Sequence, residues 1–255
     1  MRNSARLDAA LAAAAAAAEI IRGSYRQNIE VGIKADRSPV TAADVAAEAA
    51  IRAVLLERYP GDGFCGEESA TERMEAECLW LVDPIDGTKS FVREYPMFST
   101  QIALLRRGRL ELGVSSAPAY GELAWAERGH GAWLDGTRVA VSRIGRFADA
   151  TVSTGNLKSL AGGPRWAALG RIVTRLDRIR GFGDFLHYHL LAAGKIEAVI
   201  ESDIHILDIA ALAVIVEEAG GRVTDLEGAP LTLDTASILA SNGLLHEPIL
   251  EELRR

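Results

Sequence analysis

Two aspartates joined by a short, stiff segment are the densest chemical feature of the sequence. Asp83 and Asp86 lie three positions apart in Asp-Pro-Ile-Asp-Gly-Thr, where Pro84 and Gly87 predict a turn. Hard divalent cations such as Mg²⁺ prefer oxygen ligands, which the two carboxylates and the carbonyl of Ile85 could supply. The motif therefore predicts a divalent metal site, although the same composition is also typical of a plain surface turn.

The residues around the aspartate pair favour function over a surface turn. An apolar run at residues 79–82 predicts a buried strand that delivers Asp83 at its end. After the pair, Gly87 lets the backbone approach a ligand closely, so its amide and that of Thr88 could hold a phosphate oxygen.

Three more acidic residues could join the pair, and each also has an ordinary explanation. Glu67 lies in Gly-Glu-Glu-Ser, which could be a solvated loop. Asp44 ends Thr-Ala-Ala-Asp, a helix-capping arrangement. Asp208 lies near the start of a predicted helix, where the helix dipole favours a carboxylate. No single one of them indicates a site.

Alternating helices and strands must position these residues. Helices are predicted at 5–27, 41–59, 165–176, 185–193, 206–219 and from 244 onwards. Short strands and turns predict an antiparallel meander between 100 and 139, and further strands are predicted at 196–200 and 237–240. We expect two halves, an N-terminal α+β half at residues 1–145 with most of the metal ligands and a C-terminal α/β half at residues 146–255 with Asp184, Glu201 and Asp208.

Composition narrows the classes of function. The chain has 255 residues, 49% of them hydrophobic, and a net charge of −7, which argues against a nucleic-acid-binding protein. Cys65 and Cys78 match no zinc or redox spacing, so free thiols in a reducing compartment are expected. The alanine-rich start is too short and too weakly apolar to span a bilayer. We expect a cytoplasmic protein with no nucleic-acid or membrane partner.

Taken together and in order, these motifs resemble the inositol monophosphatase family. The resemblance is carried by residues 38–44, 66–68, 83–88, 207–211 and 217–221, and it covers about residues 7–243. One departure is Leu207, where the family usually has tryptophan before the aspartate. The leucine leaves the predicted ligand Asp208 in place.

The resemblance implies a fold, an assembly and a cofactor. The fold would be an αβαβα layered sandwich of the inositol monophosphatase and sugar phosphatase type, assembled as a homodimer. Two or three Mg²⁺ ions would bind in each active site. The implied ligands are the side chains of Glu67, Asp83, Asp86 and Asp208 and the carbonyl of Ile85. A third, weaker ion would be reached by Glu67 and Asp44 through water.

The activity that the resemblance implies is Mg²⁺-dependent hydrolysis of a small alcohol phosphate to the alcohol and inorganic phosphate. Metal ions lower the pKa of bound water and hold the attacking and leaving oxygens in line. Glu67 and the Thr88 hydroxyl would orient the attacking water, and Asp44 would accept the Thr88 proton. No covalent phosphoenzyme is implied.

Residues in the C-terminal half bear on the choice of alcohol. Asp184 after Gly183 looks like the histidinol-phosphate phosphatase branch, and the position of Glu201 contacts the substrate's polar groups in the family. Two acids would suit the ammonium and imidazole of L-histidinol, an intermediate of histidine biosynthesis, although a helix cap and a strand-end acid explain them equally well. Lys34 would lie over the phosphate if its loop closes as a lid.

Several alternatives stay open at this stage. Inositol 1-phosphate is the main alternative substrate, and Lys89 also occurs in relatives that act on phosphoadenosine phosphate. A catalytically silent, metal-binding regulatory member of the family is a non-enzymatic alternative. A haloacid-dehalogenase-type phosphatase is disfavoured, because its two aspartates are two residues apart. His187 and His189 fall on different faces of a helix and are not expected to bind zinc.

Overall fold

Two helices and a small hairpin form the outer layer on one side of the molecule. In this computed structural model, which describes residues 3–27, 31–33 and 39–255, the elements are α1 (Ala5–Ser24), β1 (Val31–Ile33), β2 (Pro39–Thr41) and α2 (Ala42–Arg58). Strands β1 and β2 are antiparallel. Helix α1 ends three residues before the predicted position, because Tyr25 is extended and packs its ring against Phe91 and Phe98.

A seven-stranded sheet carries the Asp83 motif. Its strands, in spatial order, are β3 (Gly63–Gly66), β4 (Cys78–Asp86), β5 (Ser99–Arg106), β6 (Arg109–Ala117), β7 (Glu122–Glu127), β8 (Gly131–Leu134) and β9 (Thr137–Val139). Strands β3 and β4 are parallel, and all later neighbours are antiparallel, which confirms the predicted meander. A short helix, α3 (Thr88–Val92), follows β4 directly.

A five-stranded sheet and five helices make up the rest of the chain. The strands are β10 (Thr151–Thr154), β11 (Arg178–Arg180), β12 (Ala198–Ser202), β13 (Arg222–Thr224) and β14 (Ser237–Ser241), in the spatial order β11-β10-β12-β14-β13. The helices are α4 (Leu157–Gly162), α5 (Trp166–Val173), α6 (Asp184–Ala192), α7 (Ile206–Glu218) and α8 (His246–Leu253). The sequence did not predict β10, β11, β13 and the short helix α4, because none of these segments is long enough to show a clear apolar pattern.

The elements stack in five layers. Helices α1 and α2 cover one face of the seven-stranded sheet, and α7 packs on its other face together with α6. The five-stranded sheet lies on the far side of α6 and α7, and helices α4, α5 and α8 cover its outer face. This order is α, β, α, β, α, so the predicted layered sandwich is confirmed.

The strand that delivers the aspartate pair is longer than expected. The sequence predicted a strand at residues 79–82 followed by a turn, but β4 continues through the motif to Asp86. Asp83 pairs with Gln101 and Asp86 with Ser99, so three steps on β4 match two steps on β5. This β-bulge absorbs the extra residue where Pro84 cannot donate a hydrogen bond to the ladder. The pair is therefore held by a sheet rather than by a loop.

The boundary expected near residue 145 falls between the two sheets, since β9 ends at Val139 and β10 begins at Thr151. Both cysteines are free thiols. Within the described residues, none of the helices combines the length and the apolar character needed to cross a bilayer.

Candidate metal and substrate site

Three carboxylates from distant parts of the chain converge at the end of β4. Oxygen atoms of Asp83, Asp86 and Asp208 all lie within 4.8 Å of one another. Asp83 is buried and its Oδ1 accepts a hydrogen bond from the amide of Ile85 at 2.9 Å, which sets its orientation. Asp208 comes from the first turn of α7, where its Oδ2 accepts a hydrogen bond from the amide of His205 at 2.8 Å. The capping role and a ligand role are therefore compatible.

The convergent carboxylates line an open cavity of about 590 Å³ between the two sheets. Most of the other predicted site residues also line this cavity, namely Glu67, Ile85, Gly87, Thr88 and Asp184. Lys89 lines it as well. Glu201 is 6% exposed and is not among the residues that line the cavity. Lys34 lies outside the described residues.

Gly87 is required by the backbone at this point of the cavity. It has a φ of +89° and ends the ladder before α3, and a Cβ added there would lie 2.7 Å from the carbonyl oxygen of Met97. Only glycine adopts such a conformation without strain and leaves room for the neighbouring strand. The glycine thus keeps the amides of Gly87 and Thr88 close to the aspartate pair.

The buried carboxylate of Asp44 accepts hydrogen bonds from two residues, Thr41 and Thr88. Its Oδ2 accepts hydrogen bonds from the Thr41 amide at 2.8 Å and the Thr41 hydroxyl at 2.6 Å, which caps α2. Its Oδ1 lies 3.2 Å from the Thr88 hydroxyl, whose other acceptor is the carbonyl of Ile85 at 3.0 Å. Asp44 is fully buried, so this contact is shielded from bulk water.

Burial of several like charges raises the pKa values of the cavity carboxylates. The pKa of Asp83 is raised by burial and by the charge of Glu67, and the pKa of Asp86 by burial and by the charge of Asp184. Burial is also the first cause for Asp184 and Asp208, each of which has its pKa raised to about 6. Without a counterion these groups repel one another, which is the condition that a bound divalent cation relieves.

The donor set fits Mg²⁺. All candidate ligands are carboxylate or carbonyl oxygens, the cluster lies at the bottom of a cavity that reaches solvent, and its carboxylates are desolvated. Hard cations with oxygen ligands and retained waters match this arrangement, whereas zinc and copper would favour sulfur or imidazole. The structure therefore supports a metal role for Asp83, Asp86 and Asp208 on chemical grounds.

The pKa values of Asp184 and Asp208 predict how Mg²⁺ stabilises the protein at different pH. A carboxyl group with a raised folded-state pKa makes the metal-free protein less stable as pH rises from about 4 to above 6. Cations must displace the bound protons, so their affinity falls at low pH. A tenfold excess over Kd should stabilise the protein by about 1.4 kcal/mol near pH 7.5 and by much less near pH 5. Thermal melts with and without Mg²⁺ at both pH values measure this, and equal shifts at both would contradict it.

Sequence reasoning missed several residues that line the cavity, and three of these are polar residues of the C-terminal half. Asn156, Asp203 and His205 follow the ends of β10 and β12, and the side-chain amide of Asn156 donates to the carbonyl of Asp203 at 3.0 Å. Asn156, Asp203 and Asp184 are non-glycine residues with positive φ, at +48°, +58° and +46°. Such backbone strain is concentrated at functional sites. The one sequence signal was their position just after apolar strands.

Comparison with known proteins agrees with this site. The pattern of the inositol monophosphatase family matches residues 3–255. The chain belongs to the inositol monophosphatase family. It is 40% identical to a histidinol-phosphatase from Mycobacterium tuberculosis, over 96% of each chain. It is also 33% identical to an inositol-1-monophosphatase from Mesorhizobium japonicum, over 90% of this chain and 88% of that protein.

Solved structures give the same assignment of the fold. The extragenic suppressor protein suhB from Bartonella henselae superposes with a TM-score of 0.91 at 32% identity, over 99% of both chains. An inositol monophosphatase from Thermotoga maritima superposes with a TM-score of 0.88 at 31% identity, over 98% of this chain and 97% of that one. Membership of this family makes the protein a phosphatase, a phosphoric monoester hydrolase.

Proposed function

We propose that the protein is a Mg²⁺-dependent phosphatase whose preferred substrate is an alcohol phosphate with a positively charged alcohol, with L-histidinol phosphate as the best candidate. The observation that carries the proposal is an excess of negative charge around the metal cluster. Among the described residues that line the cavity, six carboxylates face a single ammonium, that of Lys89. Two divalent cations and Lys89 would offset five of these six charges, so one carboxylate charge remains to attract a cation.

Asp184 is the acidic group best placed to bind the alcohol. It begins α6 and lines the same cavity as the three convergent carboxylates, but the metal cluster does not include it. Burial and then the charge of Glu201 raise its pKa to about 6, so the metal-free protein supplies too little positive charge to offset these effects. An ammonium or imidazolium group would supply that charge. The similarity to histidinol-phosphatases supports this choice of alcohol.

The residues around the cluster have different proposed roles in hydrolysis. Asp83, Asp86, Asp208, Glu67 and the carbonyl of Ile85 would hold the ions. Bound Mg²⁺ supplies charge neutralisation for the phosphoryl oxygens and the leaving alkoxide. The Thr88 hydroxyl, polarised by Asp44, and the Glu67 carboxylate would orient the attacking water, and the amides of Gly87 and Thr88 would hold a phosphate oxygen.

Inositol 1-phosphate is the second candidate substrate. Inositol-1-monophosphatases from Mesorhizobium japonicum and Rhizobium meliloti are 33% and 34% identical to this chain. A neutral cyclitol would leave the charge of Asp184 without a partner, which is why we rank it second. The homodimer, the cytoplasmic location and the number of ions stay predictions.

A substrate panel tests the proposal. Phosphate release from histidinol phosphate, inositol 1-phosphate, phosphoadenosine phosphate and fructose 1,6-bisphosphate should be compared at millimolar Mg²⁺, with a chelator as the metal-free control. We expect the highest kcat/KM for histidinol phosphate and no turnover with chelator. A clear preference for inositol 1-phosphate would show that the substrate is wrong while the phosphatase assignment stands.

A further inference from the structure

The carboxylate of Glu201 is held in place by two aromatic side chains of α6. The hydroxyl of Tyr188 donates to Glu201 Oε2 at 2.9 Å, and His187 Nε2 lies 3.2 Å from the same oxygen. Tyr188 is 1% exposed, His187 is fully buried and Glu201 is 6% exposed. A carboxylate this far from water is stable only when its charge is matched by hydrogen bonds or by a cation.

The His187 ring is oriented with its Nε2 atom toward the Glu201 carboxylate. Nδ1 lies 3.2 Å from the hydroxyl oxygen of Ser153, which also accepts a hydrogen bond from the amide of Phe182. The nearest polar neighbour of Nε2 is the carboxylate, which accepts only, so Nε2 carries a proton whether the ring is neutral or charged. The contact deviates from a straight hydrogen bond, and Nε2 is otherwise unpaired. His187 therefore contacts Glu201 without a hydrogen bond, and Tyr188 holds it through one.

The other oxygen of the carboxylate packs against the backbone at the end of β10. A Cβ added to Gly155 would lie 1.8 Å from Glu201 Oε1. Any larger residue at position 155 would therefore displace the carboxylate. The next residue, Asn156, lines the substrate cavity, so Glu201 sits directly behind the cavity wall. Within the described part of the chain, no hydrogen bond reaches Oε1.

One helix connects this buried carboxylate to the cavity. Asp184 begins α6 and lines the cavity, while His187 and Tyr188 lie three and four residues later, on the same side of the helix. The pKa of Asp184 is raised by burial and then by the charge of Glu201, and lowered by His187, so these groups act on one another directly. The first turn of α6 thus carries both Asp184 and the two side chains that contact Glu201.

We propose that Tyr188 and His187 are positioning residues that hold the Glu201 carboxylate behind Asp184, and that this fixed pair of negative charges gives the site its preference for a cationic alcohol over a neutral one. The inference rests on the proposed function and deepens it. Without the Tyr188 hydroxyl, Glu201 loses its hydrogen bond, so the carboxylate is no longer held in one position. This change weakens the attraction for a cation and leaves binding of the phosphate group intact.

The experiment is steady-state kinetics of Tyr188→Phe on histidinol phosphate and on inositol 1-phosphate. Hydrogen bonds to charged groups are strong, so we expect KM for histidinol phosphate to rise about tenfold, with little change in kcat. KM for inositol 1-phosphate should rise by a clearly smaller factor, because a neutral alcohol gains less from the charge of Glu201. Tyr120→Phe is the matched control, because Tyr120 also packs against α6, through Phe185, but is 43% exposed. It should leave both substrates unaffected.

A double-mutant cycle separates positioning from a merely structural role. Glu201→Gln should reproduce the loss of preference, and Tyr188→Phe added to Glu201→Gln should have no further effect on KM for histidinol phosphate. Additive effects, or equal losses on both substrates, would overturn the inference. Gly155→Ala displaces Glu201 from the opposite side and should also raise KM more for histidinol phosphate than for inositol 1-phosphate, which tests the inference independently of α6.

Failure of the inference is distinct from failure of the proposed function. If the wild type prefers histidinol phosphate and Tyr188→Phe keeps that preference in full, the positioning role is wrong and the proposed function stands. If the wild type shows no preference for the cationic substrate, the proposed function is itself wrong, and the role of Tyr188 in specificity falls with it.

Discussion

Replacing Asp86 with asparagine is expected to lower kcat by more than about 100-fold at fixed Mg²⁺ while the protein stays folded. Loss of groups that merely support metal ligands already costs about 10–100-fold in affinity or activity, so loss of a direct ligand should cost more. Asparagine keeps the size of the side chain and one oxygen, and Asp86 accepts no hydrogen bond from the described residues that asparagine would break. Phosphate release at saturating substrate measures the effect, and wild-type turnover would remove Asp86 from the metal site.

The same substitution should make the metal-free protein more stable. Burial and the nearby charges of Asp184 and Asp208 disfavour the charged form of Asp86. A neutral amide at this position therefore relieves the repulsion. For a chain of this size, each kcal/mol gained raises Tm by about 2–4 °C. The gain should appear in melts with chelator near pH 7.5 and shrink near pH 5, where the wild-type carboxylates take up protons.

Asp225→Asn is the matched control for both measurements. The Asp225 carboxylate accepts hydrogen bonds from the amides of Glu227 and Ala229 in a turn outside the cavity, and asparagine can do the same. We expect no change in kcat and no gain in Tm. If Asp86→Asn also left the metal-free Tm unchanged, the description of the cavity as a repulsive cluster would be wrong.

The position of the aspartate pair could be predicted from the sequence because the signal is local. An apolar strand followed by Asp-Pro-Ile-Asp-Gly-Thr needs only short-range rules, and the resemblance to a family then gathered Glu67 and Asp208 into the same site. The backbone geometry of the aspartate pair was harder to predict from the sequence. The sequence predicted a turn, whereas the structure holds Asp83 and Asp86 in a strand with a bulge, a feature set by pairing with β5.

The contacts that the sequence did not reveal join distant segments of the chain. Glu201 was predicted as a substrate contact, but its interaction with Tyr188 and its packing against Gly155 become visible only when three separate segments come together. Asn156 and Asp203 carry no motif, and their strained backbone shows only in three dimensions. Substrate specificity therefore depends on parts of the chain about which local sequence rules say least.

Helix capping and a contact with Thr88 are not alternatives for Asp44. The capping pattern at Thr41 and Asp44 has an ordinary structural explanation in the sequence, and the structure confirms that it caps α2. Because a carboxylate has two oxygens, Asp44 uses one for the cap and places the other next to Thr88. The rigid helix end therefore fixes the acceptor for the Thr88 proton.

This geometry predicts a large effect of replacing Asp44 with asparagine. Asparagine can still cap α2 through its oxygen, but it then presents an amide to Thr88, which can no longer donate its proton there. The hydroxyl would lose its orientation toward the attacking water. Positioned proton acceptors contribute about 10²–10⁴-fold to a rate, so we expect kcat to fall by about 100-fold or more. Tm should change little, since burial already raises the pKa of Asp44 and so disfavours its charge.

Variants of Thr88 test whether Asp44 and Thr88 act together on the same step of the reaction. Thr88→Val removes the hydroxyl at equal size and should lose as much activity as Asp44→Asn, whereas Thr88→Ser keeps the hydroxyl and should stay close to wild type. The double variant Asp44→Asn with Thr88→Val should be no slower than either single variant, because residues that act as a unit are not additive. Multiplied losses in the double variant would mean that Asp44 acts on the reaction through some path other than the Thr88 hydroxyl.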